Sequence, residues 1–221
     1  MKRVNCRFLS ELYELTEILC FDIETTGLDP LNDEILKLSV VDMAGNVLFD
    51  ELFSTDHKTS WEDATKVNGI TPDMVYGCRK FKDATSEIER VFNDAKSIIG
   101  YNISSFDLIF LHNNGIDIDA PYMADIMLDW SEVLGIFDPN TKEWSNRRLS
   151  ELASVFRYEF VAHDSLDDAR ATIFLAKKVI DLQTFEFLQK RSTQLNLYRE
   201  IDPSIQFSED ADIPLEEVVD I

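Results

Sequence analysis

Apolar residues first recur at helical spacing, with Phe8, Leu9, Leu12 and Leu15 on one face and Ser10 and Thr16 too polar for a buried strand, which predicts a short helix within residues 7–17. Three strand-like runs follow at residues 18–23, 34–43 and 47–53, the last two joined by Ala44-Gly45-Asn46, a hairpin signal. Residues 61–74 lose periodicity and read as irregular, ending in a turn at Val67-Asn68-Gly69-Ile70 and a short helix that Thr71 caps and Pro72 opens. The pattern then gives a helix over 84–95 with Ile88, Val91 and Phe92 on one face and a buried strand over 97–101. A helix over 107–113 is begun by Ser104 or Ser105 and stopped at Gly115. Residues 121–135 and 149–156 carry further helical patterns, separated by a polar loop at 138–148. The last helix starts near Leu166 and runs into the 180s or beyond, on an apolar face that includes Ile173, Ala176, Val179 and Ile180.

Strands first, then strands alternating with helices, predict an α/β protein. The expected architecture is a central mixed β-sheet, three N-terminal antiparallel-type strands plus parallel strands, flanked by helices on both faces. Residues 1–17 read as an N-terminal helical extension, 18–199 as the main domain and 200–221 as an acidic C-terminal tail.

Charge narrows what such a domain can do. The formal net charge is -21, and residues 200–221 hold eight acids with no Lys or Arg, so the rest of the chain still carries -13. A protein that grips long duplex DNA through many phosphates is expected to be basic, so any nucleic acid used here is gripped locally, at an end or over a few nucleotides. Cys6, Cys20 and Cys78 are odd in number and scattered, which suits a reducing compartment and argues against structural zinc. No apolar run approaches the roughly 20 residues of a membrane span. Glu11, Glu14 and Glu17 break any signal-peptide core, and the expectation is a cytoplasmic protein.

Candidate chemistry begins at Phe21-Asp22-Ile23-Glu24-Thr25-Thr26-Gly27-Leu28-Asp29-Pro30, a strand that stops at a glycine turn. Alternation puts Asp22 and Glu24 on the same strand face. Two carboxylates that close repel, and the usual resolutions are a raised pKa, a cationic partner or a metal. No Lys or Arg lies within the stretch, and hard ions such as Mg²⁺ or Mn²⁺ favour oxygen ligands. Spacing alone is weak, since Asp117-Ile118-Asp119 and Asp210-Ala211-Asp212 share it without the strand and turn. Two later stretches echo the first. Gly100-Tyr101-Asn102-Ile103-Ser104-Ser105-Phe106-Asp107 places an acid at a strand-to-helix junction, and His163-Asp164-Ser165-Leu166-Asp167-Asp168-Ala169 places a histidine ahead of three candidate acids.

In this order, the three stretches resemble the three motifs of the DEDDh 3′-to-5′ exonucleases, DnaQ-like relatives of the proofreading subunit of bacterial replicative polymerase, with a ribonuclease H-like fold. Asn68-Gly69-Ile70-Thr71 resembles the family's segment between the first two motifs, and the likeness covers about residues 18–180. The resemblance implies that Asp22, Glu24, Asp107 and Asp168 hold two Mg²⁺ or Mn²⁺ ions, with His163 as general base. Asp164 and Asp167 compete for the last place, and the family's histidine-to-aspartate spacing, followed by alanine, falls on Asp168-Ala169. It further implies that Thr25, Thr26 and Leu28 cradle the terminal nucleotide, with Asn102 and Phe106 near sugar and base and Asp125 in support. One departure stands out: four residues separate Asn102 from Asp107, where many proofreading relatives have three.

The activity so implied is hydrolysis of terminal phosphodiesters at single-stranded DNA 3′ ends, releasing nucleoside 5′-monophosphates. The alternatives are an exoribonuclease or oligoribonuclease-type trimming enzyme, or a non-catalytic scaffold that keeps the fold. His57 and His112 read as ordinary histidines, and Trp61, Trp130 and Trp144 as packing residues ahead of the alternative that they stack on bases. Lys142, Arg147 and Arg148 form a small basic group in the polar loop. Gln194-Leu195-Asn196-Leu197-Tyr198 resembles a bacterial sliding-clamp-binding peptide, set against simple continuation of the last helix.

Overall fold

The computed structural model describes residues 1–135, 137–138, 143–144 and 146–201, with side chains over 1–135 and 146–184. Two compact units are present, Met1–Gln183 and Thr184–Ile221, and the fold below is that of the first. In chain order its elements are β1 (Lys2–Arg3), α1 (Cys6–Leu12), β2 (Ile18–Thr25), β3 (Ile35–Asp42), β4 (Val47–Leu52), α2 (Glu62–Asn68), α3 (Pro72–Val75) and α4 (Phe81–Asn93). Then come β5 (Ser97–Gly100), α5 (Asp107–Asn113), β6 (Tyr122–Asp125), α6 (Ile126–Leu134), the small pair β7 (Phe137–Asp138) and β8 (Glu143–Trp144), α7 (Leu149–Val155) and α8 (Ser165–Ile201).

Six strands form one mixed sheet in the order β1-β6-β5-β2-β3-β4. The run β1, β6, β5 and β2 is parallel, while β2-β3 and β3-β4 are antiparallel, as the sequence predicts for the N-terminal strands. Alternation along β2 sorts its residues between two cores. Leu19, Phe21 and Ile23 pack with Phe81, Ala84, Ile88 and Phe92 of α4 and with Phe110 and Leu111 of α5. Ile18 and Cys20 face the other way, into a core built from Leu9 of α1, Trp130 of α6, Leu152 of α7 and Ala169, Ile173 and Ala176 of α8. Phe21 is wholly buried and stacks edge-on against Phe92 with ring centroids 5.3 Å apart. Truncating it to alanine is expected to cost about 3–5 kcal/mol.

Three expectations need correction. Residues 121–135 are not one helix: Tyr122–Asp125 forms β6, paired to both β1 and β5, and the helix begins at Ile126 with Asp125 as its N-cap. The stretch 61–74 is not irregular, since α2 occupies Glu62–Asn68 and ends at Gly69, whose φ of 73° closes the helix in the left-handed conformation. The cap of α5 is Phe106 rather than Ser104 or Ser105, with no side-chain cap bond. Trp130 and Trp61 are buried, and His57 and His112 are exposed. Residues 194–198 are helical in backbone, continuing α8. Their side chains, those of Trp144 and Lys142, and the acidic tail from residue 202 lie outside the described residues.

Candidate active site

The row Ile18, Cys20, Asp22, Glu24 runs along one face of β2. Its first half is apolar and closed by α8, with the Cys20 thiol donating to the carbonyl of Ala169 at 3.4 Å. Its second half passes the start of α8 and turns acidic. The strand then ends in a turn organised by Asp33, whose carboxylate accepts from the Thr26 hydroxyl at 2.9 Å and the Asp29 N–H at 3.0 Å and pairs with Lys58 at 2.8 Å. A Cβ on Gly27 would lie 2.3 Å from that carboxylate, so only glycine lets the turn close over it. Gly100 at the end of β5 serves a similar purpose, since a Cβ there would meet Ile103 at 2.0 Å.

Apart from the supporting Asp125, the site residues named from the sequence line one cavity of about 940 Å³ beyond the C-terminal ends of β2 and β5: the acids Asp22, Glu24, Asp107 and Asp168, then His163, and Thr25, Thr26, Leu28, Asn102 and Phe106. Ligands of open parallel sheets bind at such strand ends. Donor oxygens of Asp22, Glu24 and Asp168 all lie within 4.8 Å of one another. Asp107, first residue of α5, stands outside that close group, and its Oδ1 accepts the Ile23 N–H at 3.1 Å. Asp168 accepts the His163 N–H at 3.0 Å, which ties the histidine turn to the acid through backbone. His163 itself is exposed at φ 67°, and among the described residues no hydrogen bond restrains its imidazole.

The rival acids are occupied elsewhere. Asp164 pairs with Lys37 at 2.8 Å and caps the first turn of α8 by accepting the N–H groups of Leu166 and Asp167, each at 3.2 Å. Asp167 accepts the Val161 N–H at 3.2 Å and lies 3.5 Å from Arg170. Asp117 and Asp119 are exposed, the former bonded to His112 at 2.6 Å, while Asp210 and Asp212 fall outside the described residues. Asp125 holds the loop after β5: its carboxylate accepts the Asn102 N–H at 2.9 Å and the Ser104 hydroxyl at 3.0 Å, fixing Asn102 at φ 64°.

Crowding and burial leave the acids electrostatically stressed. Burial, then the charges of Asp107, Asp168 and Glu24, raises the Asp22 carboxyl well above the usual range. Burial followed by the Asp168 charge pushes Glu24 up to about 8, partly offset by a hydrogen bond from Asn68. Burial likewise raises Asp107 and Asp168 to about 7 each, against backbone hydrogen bonds that pull them down. Among the described residues no Lys or Arg forms an ion pair with any of the four, and Lys58, at the cavity wall, is engaged by Asp33. An all-oxygen donor set facing open space without its own cation fits a hard divalent ion, and Asp22, Glu24 and Asp168, with Asp107 beside them, are the residues to hold it.

Residues absent from the sequence-based set also line the cavity, including Lys58, Ser60, Trp61, Asn68 and Tyr101. Asn68 donates to the Thr25 carbonyl at 3.2 Å, and the Trp61 indole donates to the Ile70 carbonyl at 2.8 Å. The signal for Asn68 was present in the Asn-Gly turn, and Trp61, read from the sequence as a packing residue, is buried and also forms wall.

A mixed α/β sheet with an acid cluster and a histidine gathered at its strand ends is a fold of the ribonuclease H-like class. The chain belongs to the RNase_T family, described as Exonuclease, whose model matches residues 19–176, and is thus a DnaQ-like exonuclease domain. It is 31% identical over 173 residues to the DNA polymerase III PolC-type protein of Latilactobacillus sakei, covering 76% of this chain and 12% of that protein. To the PolC-type protein of Thermotoga maritima it is 30% identical over 193 residues, covering 82% of this chain and 13% of the relative. Among solved structures, the zinc-bound complex of E. coli ExoI with single-stranded DNA shares the fold at TM-score 0.62 and 23% identity, over 80% of this chain and 43% of that one. Exonuclease I from Methylocaldum szegediense gives TM-score 0.61 and 23% identity, over 77% and 42%. The chain therefore spans about an eighth of the PolC-type relatives and less than half of the exonuclease I chains. Among the described residues no helix is long and apolar enough to cross a membrane.

Proposed function

We propose that this chain is a metal-dependent 3′-to-5′ exonuclease that shortens single-stranded DNA from its 3′ end and releases nucleoside 5′-monophosphates. The observation that carries the proposal is the approach of Asp22, Glu24 and Asp168 donor atoms to within 4.8 Å in an open cavity. A pair of Mg²⁺ or Mn²⁺ ions held by these three and Asp107 would supply Lewis-acid activation of water and charge stabilisation at the leaving oxygen.

The remaining work falls to the chain itself. His163, on an exposed turn hydrogen-bonded to Asp168 through its backbone, accepts the proton of the attacking water, since an imidazole is the side chain best suited to that near neutral pH. Thr25, Thr26 and Leu28 hold the terminal nucleotide against the turn that Asp33 stabilises, and Asn102 and Phe106 face its sugar and base. A cavity of about 940 Å³ suits one or two nucleotides held locally, which agrees with a chain of net charge -21 that has little long-range attraction for a polyanion.

The test uses 3′- or 5′-labelled DNA and RNA oligomers with Mg²⁺, Mn²⁺ or EDTA. Stepwise 3′ release of mononucleotides from DNA, abolished by EDTA, is the expected result. Faster trimming of RNA would move the assignment to an exoribonuclease. No turnover of any oligomer would leave a scaffold that keeps the fold.

A further inference from the structure

Lys37 lies on β3 directly across from Glu24, and Ser39 directly across from Asp22. Cross-strand partners share a sheet face, so Lys37 and Ser39 continue the acidic face of β2 sideways. Neither touches the cavity acids in an ion pair. Both are instead spent on the start of α8. The Lys37 ammonium, only 13% exposed, pairs with Asp164 at 2.8 Å and Asp50 at 3.4 Å. The Ser39 hydroxyl, fully buried, bonds the hydroxyl of Ser165 at 2.7 Å and Asp50 at 2.8 Å.

These contacts close around the histidine turn. Asp164 immediately follows His163, caps Leu166 and Asp167, and accepts the Asp168 N–H on its main-chain oxygen at 2.8 Å. His163 holds a left-handed φ of 67°, which costs a non-glycine residue free energy and persists only where neighbours enforce it. Its imidazole has no hydrogen bond of its own among the described residues, so its placement depends on the backbone at 163–164. Besides the main-chain bonds of Asp164, its N–H to the Val161 carbonyl at 3.3 Å and its carbonyl to the Asp168 N–H, that backbone is fastened through side chains at the Asp168 carboxylate, the Asp164 cap and the Lys37–Asp164 pair.

We propose that Lys37 is a positioning residue for His163, acting through the Asp164 pair to hold the turn so that the imidazole stays in the cavity. The proposal rests on the assignment of His163 as general base. A largely buried Lys with two carboxylates is more than a surface ion pair, and a small misplacement of a reacting group is enough to slow the chemical step.

The test pairs kinetics with a signal that needs no turnover. Lys37→Met keeps the apolar stem and removes the charge; kcat is expected to fall about 10- to 100-fold, with KM for a short oligomer little changed. Lys37→Arg should restore most of the loss. The three histidines give three imidazole resonances in the histidine-labelled protein, and Lys37→Met should shift or broaden that of His163 while leaving those of His57 and His112 in place. Asp164→Asn keeps the cap and loses the pair, so it should reproduce both effects and carries the test where Lys37→Met does not fold. Wild-type kcat with an unmoved His163 resonance in either folded variant would overturn the proposal, as would equal loss in Lys37→Met and Lys37→Arg with that resonance unmoved. If the unmodified protein turned over no oligomer, the exonuclease assignment would fall, while the resonance would still decide whether Lys37 holds the turn.

Discussion

Among the places where the described residues bury carboxylates, two resolve the same electrostatic problem in opposite ways. Asp129 of α6 is wholly buried, and burial raises it to about 7. Its Oδ2 accepts the Cys6 N–H at 2.7 Å and its Oδ1, which has no hydrogen bond, faces Arg3 at 3.6 Å, so the N-terminal segment itself supplies part of the compensation. In the cavity, Glu24, Asp107 and Asp168 are raised to a similar extent, yet they face one another and open space. A raised carboxyl therefore does not mark a site by itself. What marks it is stress that the described chain leaves uncompensated, beside a space large enough for a ligand.

The comparison breaks first on substitution. Asp22→Asn or Asp168→Asn should lower kcat on a 3′-labelled oligomer by about 10⁴-fold, the scale of loss when one member of a catalytic unit is removed. Both variants should keep their fold by far-UV circular dichroism. Near wild-type turnover in either would remove that residue from the site. His163→Ala should cost about 10²- to 10⁴-fold under the same assay. Asp129→Ala should do the reverse: denaturant unfolding should show a loss of about 1–3 kcal/mol from the orphaned Cys6 N–H, with kcat unchanged.

Acidity sharpens the contrast further. Glu24, Asp107 and Asp168 have folded pKa values of about 8, 7 and 7, above the roughly 4 of an ordinary carboxyl, so folding takes up protons between those limits. Their contribution to stability is complete below about pH 4 and is lost as pH rises towards 8. The metal-free protein should accordingly melt lower at pH 8 than at pH 5, and Mn²⁺ should raise the melting temperature more at pH 8. Asp129 shares the pH trend but should give no share of the Mn²⁺ response. Equal Mn²⁺ shifts in wild type and Asp22→Asn would refute the cluster as the binding site.

The acids were legible in the sequence because alternation along β2 is a rigid geometric rule: once residues 18–24 are extended, Asp22 and Glu24 must share a face. The three N-terminal strands and the long last helix followed from equally strong periodicity. What escaped notice has a common cause, namely segments whose structure is set by neighbours rather than by their own pattern. The four residues of β6, Tyr122–Asp125, are too few to show period two and run straight into the apolar face of α6. The helix α2 buries none of its residues, so it carries no apolar stripe, although it supplies Asn68 to the cavity. Without the family spacing, which chose Asp168, the residues alone left Asp164, Asp167 and Asp168 as competing ligands. In the structure Asp164 pairs with Lys37, 127 residues away in the chain, and Asp167 with Arg170 and the Val161 N–H, while Asp168 stands with Asp22 and Glu24.

Diffraction at the manganese absorption edge from crystals grown with Mn²⁺ tests the central claim most directly. Anomalous density is expected among the carboxylates of Asp22, Glu24 and Asp168, with Asp107 beside it. Density at other acids, or none at this cluster with Mn²⁺ bound elsewhere on the protein, would contradict it.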